Sequence, residues 1–176
     1  ADSTLSYYNK SQIIHIACHG FYFDSSEVDT YFSTNFIGVN IKKLPLLRSG
    51  IVVSNANCIA KHIPDKNGYL SGYEIAATNL SDCQLIVLSA CESALGDIKS
   101  NLGVMGLQRA IKLAGAQKML ITLWKIPDNE TAEFMGLFYD FLLNKKMTEE
   151  LALKQTQQIM SKKYAVSKWA AFVLIE

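Results

Sequence analysis

The chain has 176 residues, of which 49% are hydrophobic and 19% charged, and 17 Lys and Arg residues against 16 Asp and Glu residues leave a net charge of +1. This length suits one domain, and the composition is globular rather than disordered. The charge balance argues against bulk electrostatic binding of nucleic acid or of an anionic membrane, and the apolar runs are far shorter than the roughly 20 residues that span a bilayer. Four cysteines are too few for a disulfide scaffold and indicate reduced thiols in a cytoplasmic protein.

The first half of the chain predicts short strands and one helix. Residues 12–18 and 50–54 are apolar and rich in β-branched side chains, which is typical of strands. Ser71 is followed three residues later by Glu74, and this spacing predicts a capping box at the start of a helix over 71–79.

The second half of the chain alternates strands with helices. The spacing of its apolar residues predicts strands over 84–90, 117–124 and 170–175 and helices over 102–114, 129–143 and 148–162. Continuously apolar strands that alternate with helices predict an α/β fold with a mostly parallel sheet covered on both faces. Such sheets bind ligands beyond the carboxyl ends of their strands.

Three reactive side chains follow predicted strands. They are His19, Cys91 and Asp128, which come after the strands over 12–18, 84–90 and 117–124. If these strands are parallel neighbours, the three side chains emerge at the same edge of the sheet. Cys91 is then the natural nucleophile, because a nearby histidine can lower the pKa of a thiol or take its proton. The backbone N–H groups of Gly20 and Cys91 would together hold an oxyanion.

Each of these residues also has an ordinary structural interpretation. A cysteine after a buried strand often serves as a small apolar side chain, and a histidine or glycine at a strand end often serves a turn. Asp128 follows Pro127 at the place where the N-cap of the helix over 129–143 is expected. His15 is predicted to be a core histidine or a support behind the reactive side chains.

Other chemistries lack their sequence patterns. His15 and Cys18 point to opposite faces of a strand, so they do not form a zinc site together with His19. No glycine-rich phosphate loop follows a strand, and Ser89 lacks the G-x-S-x-G pattern of a hydrolase elbow. We therefore expect neither a metal ion nor an organic cofactor. Trp124 is expected in the core.

The literal residues around these positions resemble a known family. The stretches IIHIACHG, NGYLSGYEI and LIVLSACESALG, followed by GVMGLQRAIKLAGAQKMLITLWKIPDNET, resemble the CHAT family, whose members are caspase-like proteins related to caspases and separases. The resemblance implies a three-layer α/β/α sandwich and a cysteine endopeptidase in which His19 is the catalytic histidine and Cys91 the nucleophile. It also implies roles in bacterial defence or regulated proteolysis.

The resemblance carries two further expectations. The stretch LWKIPD is similar to a separase stretch in which an aspartate lines the pocket for the residue before the scissile bond, so Asp128 implies cleavage of a protein or peptide after Arg or Lys. Lys125 departs from that stretch, because separases carry an acidic residue there.

The family's region usually begins upstream of the histidine strand, so we expect residues 1–176 to be a single CHAT domain that lacks the family's N-terminal strands. An upstream segment or repeat region of the same protein is then an expected partner. The alternative is a catalytically silent CHAT-fold module that transmits signals within a larger repeat-containing protein.

Overall fold

A computed structural model describes residues 11–23, 44–52, 68–89 and 106–176. The strands in these ranges are β1 (Ile13–Ile16), β2 (His19–Tyr22), β3 (Ser49–Val52), β4 (Tyr69–Ser71), β5 (Leu85–Leu88), β6 (Lys118–Thr122) and β7 (Phe172–Ile175). The α-helices are α1 (Gly72–Ala76), α2 (Leu107–Ala114), α3 (Asp128–Tyr139) and α4 (Glu149–Ser161). A π-helical turn, Asp140–Asn144, continues α3, and short 3-10 turns lie at Pro45–Leu47 and Val166–Lys168.

Four of the strands form the main sheet, in the order β1-β5-β6-β7. β1 and β6 both run parallel to the central β5, and β7 pairs antiparallel with β6 at one edge. All four residues of β5 are buried, as expected for a strand that is covered on both faces. The prediction of an α/β fold with a mostly parallel sheet is confirmed.

Two hydrophobic clusters lie against the main sheet. The alternation of side chains along β5 sends Ile86 and Leu88 into a cluster with α1 and α2, whereas Leu85 and Val87 join a cluster with α3 and α4. In the second cluster, the rings of Phe134 from α3 and Phe172 from β7 stack with 3.7 Å between their centroids. Helices therefore cover both faces of the main sheet.

The other three strands form the small sheet, which is antiparallel in the order β2-β3-β4. One sequence prediction is corrected here. The single strand over 12–18 ends at Ile16, and His19 opens a new strand, β2, rather than following the first strand directly. The predicted strand over 50–54 corresponds to β3, which pairs within this small sheet. Short apolar runs identify a strand but not the partner with which it pairs.

Most predicted helix ends agree with the structure. The capping box at α1 is present, because Ser71 Oγ accepts from the Glu74 N–H and Glu74 Oε2 accepts from the Ser71 N–H. Gly115 ends α2 with a left-handed φ of 100°, a conformation in which glycine carries little penalty. Thr148 caps α4 by accepting from the Leu151 N–H. The described part of α2 begins at Leu107, and residues 102–105 of the predicted helix lie outside the described residues.

Candidate functional site

The carboxyl ends of β1 and β5 define the edge of the sheet at which the reactive side chains were predicted. The two strands are parallel neighbours, and their last residues, Ile16 and Leu88, are paired in register. His19 comes three residues after Ile16, and Cys91 comes three residues after Leu88 in the sequence. Cys91 itself lies outside the described residues. The prediction that the strands before His19 and Cys91 are parallel neighbours is confirmed.

His19 and Gly20 begin the small sheet immediately beyond this edge. In the register of β2 and β3, His19 pairs with Val52 and Gly20 with Ile51. His19 is exposed to solvent, and Gly20 is half-buried. The imidazole is therefore presented from a strand rather than from a loose turn, and a ligand at the sheet edge could reach it.

Asp128 lies beyond the carboxyl end of β6, which is parallel to β5. It is the first residue of α3 and is exposed, and Pro127 occupies the N-cap position. The interpretation of Asp128 as the N-cap of this helix is therefore wrong, because no side chain caps α3 and Asp128 lies one position further in. Within the described residues no hydrogen bond or ion pair of the Asp128 carboxylate is found, whereas Glu130 Oε1 accepts from Lys168 Nζ at 2.5 Å.

The segment between β6 and α3 is fixed at several points. The Leu123 N–H donates to the Ala171 carbonyl at 2.9 Å, Ile126 is buried against the α3 face of the sheet, and the Trp124 indole N–H donates to the Ser167 carbonyl at 2.8 Å. Trp124 is nevertheless 40% exposed, so its prediction as a core residue is wrong. The indole can satisfy its N–H on a nearby turn while its ring faces solvent. Asp128 thus follows a segment that is anchored at Leu123, Trp124 and Ile126.

His15 and Ser89 form a polar pair that the sequence analysis did not identify. His15 Nε2 and Ser89 Oγ lie 2.9 Å apart, and the His15 ring lies against the Tyr139 ring with 5.6 Å between centroids. His15 keeps contact with solvent, so its prediction as a core histidine is wrong, but partial burial lowers the pKa of its imidazole. The register of the two strands accounts for the pair. His15 pairs with Val87, so a serine two residues later lies on the same face of the sheet.

Two other thiols of the chain lie in apolar surroundings. Burial raises the pKa of both Cys18, which is half-buried, and Cys83, which is 1% exposed. Because the thiolate is the nucleophilic form, a raised pKa makes a thiol less reactive at neutral pH. Cys58 lies outside the described residues.

Residues 11–23, 44–52, 68–89 and 106–176 contain no cluster of three or more His, Cys, Asp or Glu side chains arranged to hold a metal ion. No helix in those ranges is both long and apolar enough to cross a bilayer.

The fold and the sequence together define a class of protein. A parallel α/β sheet with a histidine and a cysteine after neighbouring strands matches the arrangement expected from the CHAT resemblance. The family model for the CHAT domain matches residues 2–176, so the chain belongs to the CHAT domain family.

Two mammalian relatives match about half of the chain. Tetratricopeptide repeat protein 28 of Mus musculus is 34% identical over 95 residues, and the protein of the same name from Homo sapiens is 32% identical over 108 residues. The matches cover 52% and 57% of this chain but only 4% of each relative. The chain therefore corresponds to a small part of these relatives.

Proposed function

We propose that this CHAT domain is a caspase-like cysteine endopeptidase with Cys91 as nucleophile and His19 as its acid–base partner. The observation that carries the proposal is the shared level at which β1 and β5 end, at the register pair Ile16 and Leu88. Both reactive residues lie the same number of residues beyond that pair. The helices on both faces of the main sheet support the finer expectation of a caspase-like three-layer sandwich.

The proposed reaction is acyl transfer in two steps. The Cys91 thiol gives its proton to His19, and its sulfur attacks the carbonyl carbon of the scissile peptide bond. The C–N bond then breaks, and the leaving amine receives that proton from His19. Water then hydrolyses the thioester, releases the carboxylic acid and restores the thiol. In this proposal the N–H groups of Gly20 and Cys91 stabilise the oxyanion that forms in each step. Neither a metal ion nor an organic cofactor takes part in these steps.

The proposed substrate is a protein or peptide that is cut after Arg or Lys. Asp128 supports this specificity, because its carboxylate is exposed at the start of α3 and makes no hydrogen bond or ion pair within the described residues. An arginine fork can bind such a carboxylate through two parallel hydrogen bonds, whereas lysine offers a single point charge. The same carboxylate would repel the acidic residues that caspases prefer.

The free thiols of Cys18 and Cys83 fit the cytoplasm that we propose as the location, since reducing compartments keep cysteines unpaired.

The alternative function is a catalytically silent module that acts within a larger protein. The names of the two relatives favour a setting next to tetratricopeptide repeats, and a repeat region of the same protein is the partner that we propose.

Peptide-library cleavage by the full-length protein separates the two functions. We expect wild-type cleavage after Arg or Lys, complete loss in Cys91→Ala, and unchanged turnover in Cys18→Ala, which serves as the matched control thiol. Turnover that survives in Cys91→Ala, or a wild type without turnover, contradicts the endopeptidase proposal.

The Asp128→Asn variant tests the specificity. Asp128 is exposed, and an exposed ion pair is worth about 0.2–1 kcal/mol, so we expect the preference for Arg to fall by up to about fivefold. If Asp128 serves only the dipole of α3, the variant loses only about 0.3–1 kcal/mol of stability and keeps its specificity. Unchanged cleavage after Arg would contradict the pocket assignment.

A further inference from the structure

The pair of His15 and Ser89 joins the first strand of the main sheet to the residue that directly follows β5. Ser89 is held twice by β1: its N–H donates to the Ile16 carbonyl at 3.1 Å, and its Oγ lies 2.9 Å from His15 Nε2. We infer that His15 is a positioning residue that acts through Ser89 to fix the chain leading to Cys91. This inference rests on the proposed endopeptidase function.

The imidazole is itself held in place from a second side. Its ring packs against the ring of Tyr139 in α3 at a tilt of 40°, and Tyr139 in turn packs edge-on against the buried Phe138. Burial raises the pKa of Tyr139 to about 12, so this neighbour is uncharged at neutral pH. The contact with Tyr139 therefore restricts the His15 ring on one side and favours the orientation in which Nε2 faces Ser89.

His15 already has a hydrogen-bond partner in the described part of the chain. Its Nε2 atom lies 2.9 Å from Ser89 Oγ, so this nitrogen is engaged before any substrate binds. We assign the role of base to His19, which begins β2 beyond the carboxyl end of β1, and the supporting role to His15, so the two histidines have separate tasks.

The chemical reason for such a support is the precision that nucleophilic attack requires. A displacement of about 1 Å in a reacting group can cost about a hundredfold in rate. Ser89 is separated from Cys91 by one residue in the sequence, so rotation of the chain at Ser89 would redirect the residues that follow it. Two hydrogen bonds to adjacent residues of one strand restrict that rotation more strongly than the backbone bond alone.

Kinetics of matched His15 variants in the full-length protein test the inference. The side-chain amide of His15→Gln reaches about as far as Nε2, whereas that of His15→Asn ends near the position of Nδ1 and does not reach Ser89. We expect kcat to fall about a hundredfold in His15→Asn and in Ser89→Ala, with KM changed less than about threefold, and His15→Gln to keep most of the activity. Thermal unfolding midpoints identify any variant that fails to fold, and Ser89→Ala then remains as the less disruptive change.

The outcomes separate this inference from the function on which it rests. Wild-type turnover with unchanged kcat in His15→Asn and Ser89→Ala overturns the positioning role alone. Equal impairment of His15→Gln and His15→Asn also overturns it, because the hydrogen bond would then not matter. Covalent labelling of Ser89 by a fluorophosphonate would identify Ser89 as a nucleophile and overturn it as well. A wild type that neither cleaves peptides nor reacts at Cys91 overturns the endopeptidase function, and with it the role assigned to His15.

Discussion

The main sheet and the small sheet adjoin between Ile16 and His19, but they are stabilised in different ways. The four residues of β5 are each at most 1% exposed, and large side chains cover them on both faces. The small sheet has an exposed His19 at its first position and a Tyr69 that is 38% exposed, and its middle strand depends on close contact between backbones at Gly50. The core therefore holds the strand ends of the main sheet, whereas His19 is an exposed position of the small sheet, which joins that core through Ile51 and Leu70.

This difference predicts that damage to the two sheets has different consequences. Loss of apolar volume beneath the main sheet should lower the stability of the whole domain, because the helices of both faces pack on its strands. Damage to the small sheet should open β2–β4 locally and impair activity through His19, while the main sheet remains folded. Four changes, given in descending order of effect, test this contrast.

Phe134→Ala should have the largest effect. The side chain of Phe134 is fully buried and stacks on Phe172, so its truncation leaves a cavity beneath the main sheet and should cost about 3–5 kcal/mol of unfolding free energy. Urea denaturation measures this loss. Leu151→Ala, at a position 51% exposed on α4, is the control and should change stability by less than about 0.5 kcal/mol. Similar losses in both variants would contradict the account of the core.

Gly50→Ala should disrupt the small sheet. A Cβ at this position would overlap the Leu70 carbonyl oxygen and lie 2.9 Å from Ser71 Cα, both of which are backbone atoms of β4. We expect a loss of about 1–3 kcal/mol and faster amide hydrogen exchange in β3 and β4, with β5 still protected.

The matched control for that change is Gly136→Ala. A Cβ at Gly136 in α3 would meet no atom within 4 Å, so alanine should stabilise the helix by up to about 1 kcal/mol. Opposite signs for the two glycine variants support the close packing of β3 on β4. A neutral Gly50→Ala would show that the two strands are not held at this distance.

Ser71→Ala should have a smaller effect, limited to the junction of β4 and α1. It removes the Oγ that accepts from the Glu74 N–H and should cost about 1 kcal/mol. Ser71→Asn keeps a capping oxygen and should restore most of that loss, as thermal unfolding can measure. Equal destabilisation by Ala and Asn would contradict the capping role.

The smallest expected effect is the pH dependence contributed by His15. Burial lowers the pKa of His15 in the folded protein below the value of about 6.5 expected when unfolded, so the unfolded chain binds this proton more readily. The stability that depends on neutral His15 is therefore present above about pH 6.5 and is lost as the pH falls through the lower folded pKa. Chemical denaturation between pH 7.5 and pH 5 should show a steeper decline in wild type than in His15→Gln. Parallel declines would contradict this effect.

The sequence predicted the main sheet better than the small one for a physical reason. Runs such as residues 85–88 are apolar at every position because the strand is covered on both faces, and this pattern is visible without a structure. The small sheet combines apolar residues such as Ile51 and Leu70 with His19, Gly20 and Gly50 in strands of three or four residues, and its pairing follows from tertiary contacts that no local pattern encodes.

The candidate site, like the fold, was predictable only in part. The strands before His19 and Cys91 could be identified from their apolar runs, but their pairing as neighbours was only a condition that the structure meets. The pair of His15 and Ser89 was missed, because it depends on the register of two strands that are 74 residues apart at this contact. Asp128 was placed one helical position away from where the structure has it, which is a common uncertainty for helix ends.

The most direct test of the central claim is the order in which the thiols react with a chloromethyl ketone peptide that ends in arginine. Cys18 and Cys83 have pKa values raised by burial, so neither should compete with a nucleophile activated by His19. Mass spectrometry of the full-length protein should find Cys91 modified first, and His19→Ala should slow that modification about 10²–10⁴-fold. Modification of Cys83 or Cys58 while Cys91 stays unreacted would contradict the assignment of Cys91 as the nucleophile.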